Sequence, residues 1–309
     1  MPDRVTVRVP ASSANLGPGF DCLGMALAIT GDVTVAIGPA AESPGPMASM
    51  AASAVRAAYR AAGRPEPVEL GVSWRGEPSA GSRHSKSPLA AGQALPVARG
   101  LGASAAARAG GLVAGNALLG GPLSDDELLA LGADLEGHAD NMAPALFGGL
   151  QIVVRDAGRW QRLAVPLAAG LKVVLFVPDF EMPTQESRRR LPQKLNREDA
   201  VFNVGRATML VAALAQGRWD LLDSATQDRL HQPARAEIFP PMIEIFAAAK
   251  EAGAHAAYLS GGGSTIAALA TEHEERIARL MQQAAIARGY SGSTIITEPS
   301  VQGAQVVGS

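Results

Sequence analysis

Gly100-Leu101-Gly102-Ala103-Ser104-Ala105 is the run in this chain whose residue types and spacing point most directly to chemistry. Two glycines clear side chains from a tight turn. A short hydroxyl follows at Ser104, then helix formers through Ala109. That order builds a helix N-terminus with unsatisfied N–H groups and a positive dipole end, a natural phosphate site. With nucleotide phosphates in the turn, Ser104 would stand where a hydroxyl can reach the accompanying Mg²⁺, and the chemistry would be phosphoryl transfer. The same residues satisfy the loose dinucleotide pattern G-x-G-x-x-A. That reading needs a preceding buried strand and a well-placed acid about 20 positions on. Gln93 to Arg99 contains Pro96, and Asp125 and Asp126 follow Ser124 in a helix start, so the dinucleotide reading fails. A Walker loop fails too, since no Gly-Lys-Ser/Thr follows. A plain glycine turn between packed elements satisfies the glycines equally well.

Other chemistries find less support. His231, His255 and His273 lack metal-ligand spacing, and His84 lies in a Ser/Gly/Ala/Pro-rich connection from Glu77 to Arg99 that reads as a mobile loop or lid. No zinc motif and no persuasive Ser-His-Asp order is present. The single cysteine, Cys22, rules out an internal disulfide, fits a reducing cytoplasm, and is expected to pack beside the N-terminal strand. A net charge of −2 implies neither nucleic acid nor an acidic membrane surface as partner. Met1 to Pro10 alternates charges with valines, unlike a signal peptide, and no apolar run approaches membrane-spanning length.

The elements that must position these residues follow from periodicity. Strands are expected at Val5–Val9, Val33–Ile37, Val68–Trp74, Gly149–Arg155, Lys172–Val177, Ala254–Leu259, Thr265–Ala270 and Thr294–Thr297. Helices are expected at Met47–Ala62, Ser104–Leu119, from a Ser124/Glu127 capping box to about Glu136, Ala200–Gln216, a short one from Asp220, Pro241–Ala252 and Glu272–Arg288. Strands come in blocks and helices in blocks, so the fold class is α+β, with a lobe boundary near residues 155–170. The 309 residues suffice for two lobes.

The company of the glycine turn separates the phosphate site from the plain turn. Pro96-Val97-Ala98-Arg99-Gly100-Leu101-Gly102-Ala103-Ser104-Ala105 resembles the second motif of the GHMP kinases. Pro10-Ala-Ser-Ser-Ala-Asn15-Leu-Gly-Pro-Gly-Phe-Asp21-Cys-Leu-Gly24 is similar to the N-terminal motif of the homoserine kinase branch. Glu136-Gly-His138-Ala-Asp-Asn141-Met-Ala-Pro-Ala-Leu-Phe-Gly-Gly149 resembles its central motif. Asp228-Arg-Leu-His231-Gln-Pro-Ala-Arg235 and Leu259-Ser-Gly-Gly-Gly-Ser-Thr265 resemble its later motifs, and all five stand in family order.

The resemblance implies a GHMP kinase fold of two lobes. An N-terminal lobe like ribosomal protein S5 (residues 1–160) would carry the ATP phosphate loop, and a ferredoxin-like lobe (161–309) would contribute substrate-binding residues. It implies ATP-dependent phosphorylation of the side-chain hydroxyl of L-homoserine, the step before threonine synthase, with Mg²⁺ as cofactor. Pro96, Arg99, Gly100, Leu101, Gly102, Ala103, Ser104 and Ala105 would bind nucleotide, and Ser104 and Glu136 would hold Mg²⁺. Asn15, Asp21, His138, Asn141, Arg188, Arg235 and Gly262 would bind the amino acid, the arginines taking its carboxylate and Asp21 its ammonium. Where sugar- and mevalonate-type relatives place an aspartate base, the resemblance places the amide of Asn141. An amide takes no proton at neutral pH, so the hydroxyl would attack with alignment and Mg²⁺ in place of a strong base. Dimers are common in the family, so a homodimer is among the expectations.

Two departures stand out: Ala103 replaces the first of two family serines, and Gly261-Gly-Gly-Ser-Thr265 replaces Gly-Ala-Gly-Pro-Thr. A kinase of another small alcohol, or a ligand sensor on the same scaffold, are the alternatives. Ser104 and Glu136 speak against the sensor, which needs no Mg²⁺ ligands.

Overall fold

The computed structural model describes residues 3–38, 45–77 and 99–308. Pro96 and nearly all of the connection from Glu77 to Arg99 lie outside the described residues. The first sheet is built on two long antiparallel strands, β1 (Arg4–Ala14) and β2 (Leu23–Ile37). Val5, Val7 and Val9 point inward and Arg4 and Arg8 outward, the period-two pattern of a half-covered sheet. β1 runs well beyond the expected Val5–Val9, because Ala11 to Ala14 pair with Leu27 to Gly24 after a register shift at Pro10. β2 is long enough to pair β3 (Leu70–Glu77) over one half and β4 (Leu150–Asp156) at its other end.

Four helices cover this sheet: α1 (Pro46–Ala61), α2 (Ala103–Leu118), α3 (Asp125–Glu136) and α4 (Met142–Phe147). The Ala/Gly-rich faces of α1 and α2 let their backbones nearly touch. A Cβ on Gly111 would lie 2.3 Å from the carbonyl oxygen of Ala51. Ser124 caps α3 with the reciprocal Ser124/Glu127 box that the sequence predicts.

β5 (Arg159–Val165) extends the first sheet, and the expected boundary at 160/161 falls inside it. The chain then crosses to a second, four-stranded antiparallel sheet ordered β7-β8-β6-β9. These strands are β6 (Lys172–Pro178), β7 (Ala256–Leu259), β8 (Ile266–Ala270) and β9 (Gly292–Thr297). Before β7 come α5 (Thr184–Arg189), α6 (Arg197–Gln216), α7 (Leu222–Ala225), α8 (Gln232–Ala236) and α9 (Met242–Glu251). α10 (Glu274–Ala287) precedes β9, and β10 (Gln305–Gly308) returns to the first sheet beside β1.

Val174, Phe176, Ile245 and Met281 form a core under α9 and α10. A separate core of Leu23, Met25, Val173, Leu175, Leu210 and Tyr258 draws on strands of both sheets, so the two halves share buried apolar surface. Among the described residues no helix is long and apolar enough to cross a membrane.

Candidate active site

A cleft of about 480 Å³ opens where the N-terminus of α2, the loop from β1 to β2, α5, α8 and the turn from β7 to β8 converge. Its floor is the glycine turn. Gly100 (φ 77°) and Gly102 (φ 64°) both lie in the left-handed region. Neither position has room for a side chain. A Cβ on Gly100 would lie 2.1 Å from Ser260 O, and one on Gly102 would lie 2.1 Å from Ser12 Oγ and 2.8 Å from Asn141 Oδ1. Hydrogen bonds from Ser12 N to Leu101 O (3.1 Å) and Thr265 N to Arg99 O (3.0 Å) fasten the turn from both sides. Ser260 Oγ donates to Gly100 O at 2.5 Å. No side chain caps α2, so its first amides keep their donor capacity, as a phosphate cradle requires.

Arg99 faces the cleft, but its Nη1 donates to the carbonyls of Pro178 and Phe180, tying the turn to the end of β6. Ser104, one residue into the helix, donates to Glu136 Oε2 at 3.0 Å. The other oxygen of Glu136 takes the guanidinium of Arg108, one helical turn after Ser104. A hydroxyl and a carboxylate side by side are the oxygen donors a hard dication takes when phosphates and water supply the rest. This donor set fits Mg²⁺, with Arg108 offsetting the carboxylate charge. Among the described residues no cluster of three or more His, Cys, Asp or Glu forms a self-sufficient metal site.

The central motif runs from α3 into α4 along one wall. Asp140, 2% exposed, accepts from the backbone N–H of Asn141 at 2.9 Å and pairs with His138 Nδ1. Burial alone would depress the His138 imidazole. The hydrogen bond and charge of Asp140, with Glu136 behind it, outweigh that and raise it above the usual histidine range. Asn141 receives the hydroxyl of Ser12 on Oδ1 at 2.9 Å, which fixes the amide beside Gly102.

The far end of the cleft carries opposite charges. Asn15, Leu16 and Asp21 all have positive φ (68°, 48° and 56°), a loop held in sparsely populated backbone regions. Both ends of the Asn15 amide are engaged, Nδ2 on Gly261 O (2.9 Å) and Oδ1 under Asp21 N (3.0 Å). Asn15 therefore holds Asp21 in place. Asp21 forms a two-pronged pair with Arg188 of α5, one contact at 2.8 Å. That pair raises the Arg188 guanidinium above its ordinary range in spite of partial burial. Ser187 steadies α5 by donating to Gly262 O at 3.0 Å.

Arg235 is 1% exposed, and burial with the neighbouring Arg188 charge pushes its pKa down to about 10. Its Nη1 donates to His231 Nδ1 (2.7 Å) and Gly261 O (2.9 Å). Phe20 lies between the two arginines, its ring centroid 5.2 Å from the Arg188 guanidinium carbon and 5.5 Å from that of Arg235.

The cleft thus brings together Asn15, Asp21, Arg99, Gly100, Leu101, Gly102, Ala103, Ser104, Glu136, His138, Asn141, Arg188, Arg235 and Gly262. Ala105 is fully buried behind the turn and does not line it. Cys22 corrects its expectation: it is exposed just before β2, because the loop turns its side chain outward after Asp21. Among the lining residues that sequence reasoning did not name, three carry charge or an aromatic face into the cleft: Phe20, Arg108 and Asp140. Phe20 and Asp140 stand inside the motif strings, and the helical spacing of Ser104 and Arg108 is the signal for the third.

Comparison with known proteins places these features in context. The model of the GHMP kinases N terminal domain matches residues 85–149, and that of GHMP kinases C terminal matches residues 210–287. Homoserine kinase of Moorella thermoacetica is 40% identical over 97% of this chain and 99% of its own. That of Carboxydothermus hydrogenoformans is 38% identical over 97% of this chain and 96% of its own. The crystal structure of homoserine kinase from Cytophaga hutchinsonii superposes with a TM-score of 0.82 at 27% identity, over 99% of this chain and 98% of that one.

Proposed function

Given that the chain belongs to the homoserine kinase family of the GHMP kinases, we propose that it transfers the γ-phosphoryl group of ATP to the side-chain hydroxyl of L-homoserine. The observation that carries this reading is the layout of one cleft. A side-chain-free helix N-terminus lies at one end, an Asp21/Arg188/Arg235 constellation at the other, and the Asn141 amide stands beside the turn. Phosphates would take the amides of Ala103 and Ser104 at the start of α2. Arg235 and Arg188 bind the amino-acid carboxylate, and Asp21 the ammonium. On this reading residues 1–160 carry the phosphate loop together with Asn15, Asp21, His138 and Asn141, and residues 161–309 contribute Arg188, Arg235 and Gly262.

Ser104 and Glu136 would hold Mg²⁺, which would supply charge neutralisation for the phosphoryl group in transfer. With Oδ1 occupied by Ser12, Asn141 has Nδ2 left to offer, a donor that would orient the substrate hydroxyl and cannot take its proton. His138, held by Asp140 and with a raised pKa, supplies a second donor on that wall. Transfer then depends on in-line positioning and charge neutralisation. The product, O-phospho-L-homoserine, feeds threonine formation in the cytoplasm.

A coupled ADP-release assay with L-homoserine, other hydroxy amino acids and simple alcohols tests this. Turnover with kcat/KM highest for homoserine is expected. Turnover confined to another alcohol, or amino-acid binding without ADP release, refutes the assignment.

A further inference from the structure

His231 takes no part in the chemistry above, yet it is fully buried at the junction of two amino-acid-binding elements. Its Nε2 lies 2.7 Å from Gly17 O and its Nδ1 lies 2.7 Å from Arg235 Nη1. A carbonyl only accepts and a guanidinium only donates, so the ring proton sits on Nε2 and Nδ1 is the acceptor. Nη1 of Arg235 spends its other hydrogen on Gly261 O at 2.9 Å. With Nη1 saturated, the edge left for a carboxylate is the side-on one, Nε–H with Nη2–H. Nε is buried and has no hydrogen-bond partner among the described residues.

The imidazole itself is anchored. Asp228 accepts from the backbone N–H of His231 (2.9 Å) and of Gln232 (2.7 Å), and from Asn203 Nδ2 (2.6 Å). Phe20 covers the ring at 5.4 Å between centroids.

We propose that His231 is a positioning residue serving both poles of the amino-acid receptor. It turns the side-on edge of Arg235 toward the substrate carboxylate, and through Gly17 it braces the loop that presents Asp21. This rests on the assignment of Arg235 and Asp21 to the amino acid. The same arrangement explains why His231 and Arg235 stand four residues apart on α8 and its N-cap, where i and i+4 side chains meet.

The test is steady-state kinetics, varying homoserine and ATP separately, for His231→Leu, His231→Asn, His231→Gln and Arg235→Lys. Asparagine can keep an acceptor near Nδ1, and glutamine a donor near Nε2. His231→Leu is expected to raise the homoserine KM on the order of 10- to 100-fold, the range for losing a hydrogen bond to a charged group, with the ATP KM within about 2-fold of wild type. His231→Asn should recover most of that loss. Equal rises in both KM values, or an Asn variant no better than Leu with native near-UV circular dichroism, overturns the proposal.

Should the Leu variant not fold, Asn and Gln carry the test. Each must lie between wild type and Arg235→Lys in homoserine KM, and wild-type values for both overturn it. An unchanged homoserine KM in Arg235→Lys refutes the site assignment itself. A raised KM there with wild-type behaviour in every His231 variant refutes only the role of His231.

Discussion

Gly102→Ala tests the phosphate turn at its tightest point. Two costs act together. An L-residue in the left-handed conformation at φ 64° costs about 1–2 kcal/mol relative to glycine. The new Cβ would also stand 2.1 Å from buried Ser12 Oγ and 2.8 Å from Asn141 Oδ1, a clash with two groups that are hydrogen-bonded to each other. Forcing an extra methyl into such a site costs about 1–3 kcal/mol more. The sum is about 2–5 kcal/mol. Gly289→Ala supplies the control, because Gly289 shares the conformation (φ 81°) but has nothing within 4 Å of the built Cβ. It should lose only about 1–2 kcal/mol, with unchanged kinetics.

The assay is urea denaturation at constant m, with ATP and homoserine KM values for each variant. Gly102→Ala should also raise the ATP KM at least ~10-fold, since the amides at the start of α2 must move with the turn. Adding Ser12→Ala removes the nearest clashing atom, so the double variant should recover at least ~1 kcal/mol relative to additivity. Equal destabilisation of Gly102→Ala and Gly289→Ala, with an unshifted ATP KM, would refute the argument that this turn is fixed by its contact with Ser12 and Asn141.

Ser104→Ala should raise the ATP KM in the presence of Mg²⁺ by ~10-fold, in line with one lost polar contact, and leave homoserine affinity by calorimetry unchanged. The opposite pattern would remove Ser104 from the nucleotide end. The histidines predict a pH signature. Burial holds His231 down at about 4 against an ordinary 6.5, so the unfolded chain binds its proton first. Its contribution is complete above about 6.5 and is lost as pH falls toward 4, a loss on the order of 3 kcal/mol. His138 runs the other way: its pKa is raised, so its contribution is complete below the ordinary histidine value and is lost as pH rises through the elevated one. Urea midpoints from pH 4 to 8 should fall on the acid side in wild type and less steeply in His231→Asn. Parallel acid limbs would contradict the buried neutral imidazole.

Long elements with one strong period were legible from residues alone. The alternating valines of β1, the Ala-rich stripe of α1 and the capping box of α3 each carry their own signal. Elements that exist because of a distant partner were not. Ala11 to Ala14 lack branched side chains and follow a proline, and they are strand because Leu27 to Gly24 pair with them. β5 alternates between exposed and half-buried positions, but Arg162 takes a half-buried one and Leu163 is 64% exposed, so the residue types show no apolar period. α4, α5 and α8, of five or six residues, are too short for a helical period. The site follows the same division. Gly102 and Ser104 announce their chemistry by type and spacing, and Arg235 was reached through the motif resemblance; all three line the cleft. Residues whose roles are relations were not found in either way: Asp140 matters through His138 and Asn141, and Arg108 through Glu136.

The charge layout of the cleft makes one of these relations decisive. Arg108 is matched by Glu136, Arg188 by Asp21, and Arg99 lies 3.9 Å from Glu181. Arg235 has no carboxylate within ion-pair distance among the described residues, and its Nη1 hydrogens go to a neutral imidazole and a carbonyl. A buried cation held only by neutral acceptors keeps most of its desolvation cost, which is why its pKa is pushed down. A carboxylate arriving on its open edge relieves that cost. A zwitterion brings its ammonium at the same time, and Asp21 can take it while Arg188 turns toward the carboxylate. The exchange conserves net charge within the cleft and rewards only a ligand that carries both poles. Under the proposed assignment a simple alcohol would gain neither contact, so the same electrostatics that hold Arg235 ready would also select for an amino acid.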